Sequence, residues 1–467
     1  MNARKFARLG VPQGEAMRLA GTAVRDARTF GIPKRDIPQL ITAVVENPAD
    51  YLQDELFGDL AAAILAHEEA QPTFKPRKEP APFQIWGEDL DENSVNQMKN
   101  AAQLPVSVRG ALMPDAHLGY GLPIGGVLAV RNAVIPYAVG VDIACRMKLS
   151  VLDLPLYTLR GEQKRLANAI EYETRFGIGA NFRKGERRDH PVMDEDWRVT
   201  AVTARLRDKA WEQLGTSGSG NHFVEFGVLT VLNDEVGLPA GEYLALLSHS
   251  GSRGAGATVA DHYSKLAMDL HPELPKELRH LAWLDLDSDA GREYWAAMQL
   301  MGKYAAANHA CIHYHVVKAL GAKVLLDVEN HHNFAWQEEH EGETVIVHRK
   351  GATPAGEGVL GIIPGSMGAP GFVVRGKGNE ASLNSAAHGA GRRMSRKQAI
   401  KSFTWSDVKK YLRERDVTLL SAGLDEVPMA YKDIHEVMAA QADLVEKMAR
   451  FDPRLVKMAP AGERPED

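Results

Sequence analysis

Residues 214–254 read LGTSGSGNHFVEFGVLTVLNDEVGLPAGEYLALLSHSGSRG, and the fold follows from how this stretch is parsed. Gly215 to Gly220 is a small-residue loop. NHFVEFGVL then runs as a strand, and Tyr243 to Ser248 forms another that ends at His249. Apolar runs bounded by glycine and serine clusters are the mark of strands joined by tight loops. Helical patterns flank this core on both sides, over 196–214 and 254–269.

Reading outward, Asn93 to Gln103 is a short helix and Leu112 to Ile124 a glycine-rich loop. Val127 to Val130 and Lys148 to Leu152 read as strands, and 156–172 as a helix. Downstream, 291–320 is helical and Val324 to Val328 is a strand running into ENHHN. Val345 to Arg349, Ile362 and Phe372 to Arg375 suggest a second sheet. Trp405 to Glu414 and Asp433 to Ala449 read as helices, and the tail AGERPED as loose. Strands and helices do not alternate as βαβ units. The expected class is therefore α+β, a mixed two-sheet core flanked by helices.

Residues 1–80 have a different texture. Asp36 is expected to cap a helix with Pro38 in its first turn. Leu40, Ile41, Val44 and Val45 follow at helical spacing. Leu52 to His67 repeats the pattern, and the proline-rich EEAQPTFKPRKEPAP closes the segment. The expected organisation is a helical N-terminal extension over 1–80 and a catalytic domain over 84–458.

The chain has 467 residues, enough to bury its own core without disulfide staples. Its two cysteines, Cys145 and Cys311, form no CxxC, which suits a reducing cytoplasm. The N-terminus lacks the apolar stretch of a secretory signal, and no window is clean enough to span a membrane. With 55 basic against 61 acidic residues the net charge is -6, so any nucleic acid must meet a local basic groove.

Chemistry-bearing residues gather at the ends of predicted strands. Asp142 and Cys145 sit in VGVDIACR, Asn221 and His222 follow a glycine loop, His249 opens HSGSRG, and His332 lies in NHHN. Carboxylate, thiolate and imidazole together form a transition-metal donor set. The spacing is that of no zinc finger and no HExxH, so these ligands must converge through the fold. His309, His313 and His315 lie on a predicted helix among apolar neighbours and read as packing or surface residues. GTSGSG, HSGSRG, PGSMG and HGAGR offer closely spaced backbone N–H groups of the kind that cradle phosphates.

These segments, with MPDAHLG (113–119), IPYAVGVDIACRM (135–147), HHNFAWQEEH (331–340), SAAHGAGRRMSR (385–396) and AYKDIHEVMAAQADLV (430–445), resemble the RtcB family of RNA-splicing ligases. The resemblance covers 84–457 and leaves 1–80 as an addition. It implies an enzyme that joins an RNA 2′,3′-cyclic phosphate or 3′-phosphate end to a 5′-hydroxyl end, using GTP and two manganese ions. Asp142, Cys145, His222, His249 and His332 would be the metal ligands. Cys145 would bridge, with His222 and His249 on one side and Asp142 and His332 on the other. His388 would be the nucleophile that becomes guanylylated. Asn221, Glu225, His332, Asn333, Pro364, Gly365, Ser366, Met367, Gly389, Ala390, Gly391, Tyr431 and Lys457 would contact the nucleotide. Asp115 and His117 would support the metal ligands from behind. Arg253, Arg375, Arg392, Arg393 and Arg396 are candidates for phosphate contacts.

The resemblance further implies tRNA or other cleaved RNA as partner, a monomer in the cytoplasm, and a possible activating protein. A metal-dependent RNA 3′-end phosphoesterase and a non-catalytic RNA-end-binding protein are the alternatives. Three positions depart from the family pattern. Arg146 follows Cys145 where glycine is usual, and could meet phosphates or crowd the site. Tyr120 stands in a lysine position of HLGYG. Val456-Lys457-Met458 replaces a VKG-like ending, which makes Lys457 the candidate for a guanylate contact.

Overall fold

The computed structural model describes residues 1–70 and 74–462. Part of the proline-rich linker and most of the AGERPED tail therefore lie outside the described residues. The fold is α+β, as expected, and divides into two units, Met1–Phe74 with Pro272–Leu274 and the remainder.

The N-terminal unit is built on four helices, Ala3–Arg8, Glu15–Thr29, Ile37–Glu46 and Gly58–Ala70. Each turns an apolar stripe inward. Ala16, Ala20, Ala23, Val24 and Ala27 recur at the three- and four-residue spacing of one helix face. They pack with Ile37, Ile41, Val44, Leu60 and Ile64 in a core of this unit's own. Asp36 occupies the cap position with Pro38 in the first turn, although its carboxylate makes no capping hydrogen bond.

The second unit is organised by two sheets. The larger runs Val324–His331, Arg146–Leu152, Gly241–Ser250, Phe223–Val231, Val445–Met458, Gly371–Gly376, Leu360–Ile363, with Thr418–Ser421 laid parallel to Val445–Met458. The smaller runs Phe83–Ile85, Ser107–His117, Ile124–Val130, Glu343–Lys350, Asn333–His340. Val127, Ala129 and Val347 of the smaller sheet share a buried cluster with Ile363, Phe372 and Val374 of the larger. The opposite face of the larger sheet, at Val224, Phe226, Leu244 and Leu246, packs on Ile312 and Val316 of the long helix Asp289–Ala319.

Three expectations are corrected here. The predicted loop Leu112 to Ile124 is loop only over 118–123, because the strand Ser107–His117 reaches into it and Ile124 opens the next strand. The predicted helix Asp433 to Ala449 is only Ile434–Ala439 and gives way to the strand Val445–Met458. That strand sits between Phe223–Val231 and Gly371–Gly376. Pro453, beyond the expected helix, lies next to a register shift in the ladder. The helix over 196–214 starts only at Ala201, after a capping box between Thr200 and Thr203.

Candidate active site

The larger sheet brings its chemistry to one end. In its ladder His249 stands opposite Phe223 on one side and Met147 on the other, so His222 and Cys145 each fall one residue from a strand that flanks His249. The 142–145 loop is tied to the 332–333 segment by backbone bonds: Ala144 N–H donates to Asn333 O at 2.7 Å, and His332 N–H to Cys145 O at 3.0 Å. Ala144 adopts a φ of 58°, a strained value for a residue with a Cβ. This bend presents Cys145 to the imidazoles.

Cys145 Sγ is 3.1 Å from His249 Nε2 and 3.4 Å from His222 Nε2. His249 Nε2 is 3.2 Å from His332 Nε2, and His222 Nε2 is 3.0 Å from Asp142 Oδ2. All five side chains are buried. Two groups of three result, Cys145–His249–His332 and Asp142–Cys145–His222, with Cys145 common to both. The shared thiol matches the expected bridging role. The partition does not, because Asp142 groups with His222 and His249 with His332.

The cluster suits metal ions on its own chemistry. His249 Nδ1 faces the carbonyl of Asn221 at 3.1 Å, which places the ring proton there and leaves the Nε2 lone pair toward Cys145. Burial pushes His249 down to about 3 and His332 well below the usual imidazole range, so both are neutral donors. Burial opposes ionisation of Asp142, but the hydrogen bond and charge of His222 outweigh it, and its carboxyl lies below the usual range. Asp142 Oδ1 also accepts the Ser252 N–H at 3.1 Å. A Cβ on Gly251 would lie 2.1 Å from that oxygen, which is why HSGSRG needs its first glycine.

His388 faces this cluster, its ring centroid 5.0 Å from that of His332. Its Nδ1 lies 2.6 Å from Asp115 Oδ2, and that oxygen also accepts the backbone N–H groups of His388 and Gly389 at 3.1 and 3.2 Å. An oxygen that receives two N–H donors is an acceptor, so the third partner, Nδ1, must carry the proton. Nε2 is then the free lone pair. Asp115, expected behind the metal ligands, is instead the residue that orients His388. His117 keeps a place on the pocket wall, with Nδ1 near the Asp115 carbonyl.

One pocket joins these residues. Asn221, Glu225, His332, Pro364, Gly365, Ser366, Met367, His388, Gly389, Ala390, Gly391 and Tyr431 all line it. PGSMG and HGAGR thus form its walls, while GTSGSG and HSGSRG lie around the His222 and His249 loops. Burial pushes the Glu225 carboxyl well above its usual range, which favours the neutral form, one that can donate as well as accept. Arg392 and Arg396 line the pocket too, and both pair with buried Glu426. Tyr431 O–H donates to the same carboxylate. Glu426 was missed in the sequence, where LDEVP carries no signal.

Several expectations fail on geometry. Asn333 is off the pocket wall; its amide braces two loops, donating to Asp142 O at 3.3 Å and accepting from Gly351 N–H at 2.8 Å. Lys457 alternates with Val456 and Met458, which line the pocket, so strand parity turns it to the other face. There its amine is 3.1 Å from Glu171 Oε1. Arg253 is 2% exposed and donates to Thr216 Oγ1 at 3.0 Å, a bracing role rather than a phosphate contact. Arg375 pairs with Glu235 and Glu446 away from the pocket. Arg393 is exposed and donates to Met429 O. Arg146 is buried and 3.5 Å from Glu329, outside the pocket wall. The Tyr120 carbonyl accepts from Lys350 Nζ at 2.5 Å, so another strand supplies an amine to that loop. His309 and His313 are buried, as packing requires, and bond Ser248 beneath the strand that carries His249.

Comparison with known proteins finds similar chains over most of the sequence. A family model described as tRNA-splicing ligase RtcB matches residues 97–458. The RNA-splicing ligase RtcB of Escherichia coli K12 is 34% identical over 397 residues, covering 79% of this chain and 95% of that protein. The tRNA-splicing ligase RtcB of Nanoarchaeum equitans is 33% identical over 461 residues, covering 81% and 95%. An RNA-splicing ligase RtcB homolog of Entamoeba histolytica is 30% identical, covering 74% and 79%.

Proposed function

The chain belongs to the RtcB family and is an RNA ligase, and on that premise we propose that it seals RNA 2′,3′-cyclic phosphate or 3′-phosphate ends to 5′-hydroxyl ends through a guanylylated His388. The observation that carries this reading is the Asp115 carboxylate on His388 Nδ1, which frees Nε2 as a nucleophile beside a buried metal-donor cluster.

His388 Nε2 attacks the α-phosphorus of GTP. A nitrogen–phosphorus bond forms, the bond to the β-phosphate oxygen breaks, and pyrophosphate leaves. A 2′,3′-cyclic end is first opened by water to a 3′-phosphate; an oxygen of that phosphate attacks the guanylate phosphorus and breaks its bond to His388, and the 5′-hydroxyl then attacks the activated end with loss of GMP. Asp115 fixes the ring and stabilises its positive charge as the bond forms. Glu225, Ser366 and Tyr431 line the wall where the guanylate would rest. Arg392 and Arg396, held by Glu426, offer guanidinium groups for phosphate oxygens. Asp142, Cys145, His222, His249 and His332 would hold two manganese ions, which when bound orient phosphates and neutralise developing charge.

Simple hydrolysis of RNA 3′ ends needs no oriented nucleophilic imidazole, and this disfavours a phosphoesterase. Among the described residues no helix is long and apolar enough to cross a membrane. A cytoplasmic monomer acting on tRNA halves or other cleaved RNA is the proposed setting.

The test is incubation with α-labelled GTP and manganese, then a search for acid-labile label on the denatured chain. Wild type should carry label and His388→Ala none. Label should then move to RNA bearing a 3′-phosphate and vanish on joining. A folded, manganese-loaded wild type that takes no label would overturn the reading.

A further inference from the structure

Between Arg392 and Arg415 the chain carries nine basic and two acidic residues, against a net charge of -6 overall. This segment starts on the wall of the catalytic pocket, at Arg392 and Arg396, and leads away from it. It continues into the helix Trp405–Arg413, capped by a Thr404–Asp407 box. Val408 and Leu412 bury one side of that helix. Trp405, Lys409 and Arg413 fall at four-residue spacing, so they stack along another face.

That face lines a second groove of about 570 Å³, whose other wall is the strand Thr418–Ser421 with Pro460 and Ala461. Lys409 and Arg413 are exposed and make no ion pair with any described residue. The groove's acidic side chain, Asp416, is already held by Arg160 at 2.6 Å. The groove thus offers an aromatic ring and two uncommitted cations.

It adjoins the catalytic pocket through a common wall. Met367, Met458 and Tyr431 of the pocket pack in one apolar cluster with Trp405, Leu412 and Leu419 of the groove. The strand Thr418–Ser421 pairs directly with Leu455–Lys457, and Val456 of that stretch and the following Met458 line the pocket. The groove therefore lies one strand away from His388's pocket.

We propose that this groove is the track for the single-stranded RNA flank behind a reacting end, with Trp405 stacking a base and Lys409 and Arg413 contacting phosphates. Base stacking on an aromatic ring beside a basic track is the way proteins hold single strands without reading sequence. The proposal rests on the RNA ligase reading, and deepens it by giving the substrate beyond its terminal nucleotide a place.

The test uses the full chain and fluorescein-labelled single-stranded RNAs of about 4 and about 12 nucleotides, the range one such groove covers. Wild type should bind the longer strand more tightly, with strong salt dependence. Lys409→Gln/Arg413→Gln, both exposed positions, should weaken the longer strand about tenfold. It should also lower the slope of log affinity against log salt by about 1.4, the value for two lost single-strand phosphate contacts. Trp405→Leu, which keeps apolar packing, should lose affinity without changing the slope. If it fails to fold, the exposed pair decides alone. Unchanged length and salt dependence in the double variant would overturn the proposal, as would a wild type that binds neither strand. Failure of the ligase reading would look different: wild type would bind RNA through this groove and join none.

Discussion

Asp115 Oδ2 lies 2.6 Å from Nδ1 of His388, and the same oxygen holds the backbone at His388 and Gly389. One carboxylate therefore sets both the position and the tautomer of the ring. Asp115→Asn keeps the shape, but its amide can present N–H where an acceptor is needed. Guanylylation should fall by roughly 10²–10⁴-fold, the scale for losing a residue that orients a catalytic histidine. The melting temperature should shift little by comparison. Single-turnover labelling from α-labelled GTP reads the effect, and a loss under about tenfold would remove Asp115 from this role.

Cys145 belongs to both donor groups, whereas His249 and His222 belong to one each. Cys145→Ala should abolish tight binding of both manganese ions, and His249→Ala of one. Isothermal titration of the metal-stripped protein counts the sites. Equal stoichiometry in the two variants would contradict the shared-thiol geometry.

His348 is fully buried, with Nε2 accepting the Ile135 N–H at 2.9 Å and Nδ1 facing the Leu128 carbonyl. Burial pushes it down to about 4 from an ordinary 6.5. Between those values the unfolded chain takes up a proton that the folded chain refuses. Its contribution is complete above pH 6.5 and is lost as pH falls through 4, about 3 kcal/mol in all. Denaturant melts of His348→Asn should show a pH dependence flatter by roughly that amount across the window. An unchanged profile would mean other groups dominate.

Glu426 is 2% exposed and carries ion pairs to Arg392 and Arg396. Glu426→Ala should destabilise by about 3 kcal/mol, because the partly buried Arg392 loses its counter-charge while Arg396 keeps only Asp425. Chemical denaturation measures this. A loss below about 1 kcal/mol would show that the arginines find other partners.

Lys457 makes the opposite case. Its amine faces Glu171, away from the pocket, so Lys457→Ala should leave His388 labelling within about twofold of wild type. A tenfold drop would mean the C-terminal strand shifts register when nucleotide binds.

The sequence exposed the donor cluster because ligand chemistry is written in residue type: few roles other than metal binding suit Asp142, Cys145, His222, His249 and His332 in glycine-rich turns. It did not reveal which ligands share a group, since that depends on how strand ends meet across the sheet. Asp115 was tied to the wrong partner because its real one, His388, is remote in sequence and met only through the fold. Lys457 was misplaced by motif likeness, where strand parity decides which way a side chain points. The start of the C-terminal strand, Val445 to Ala449, was read as helix because AYKDIHEVMAAQADLVEKMA is rich in alanine, glutamate and methionine, good helix formers that sheet pairing overrode.

That strand has a consequence for biosynthesis. Val445–Met458 fills a place between Phe223–Val231 and Gly371–Gly376 in the larger sheet. Until it leaves the ribosome, those two strands have an open gap between them and the floor of the His388 pocket lacks Val456 and Met458. The N-terminal helical unit, with its own core, can settle during translation. The ligase unit must wait for its most distal strand, so an early stop or frameshift before residue 445 would release a chain with exposed sheet edges, prone to aggregation and degradation rather than to partial activity.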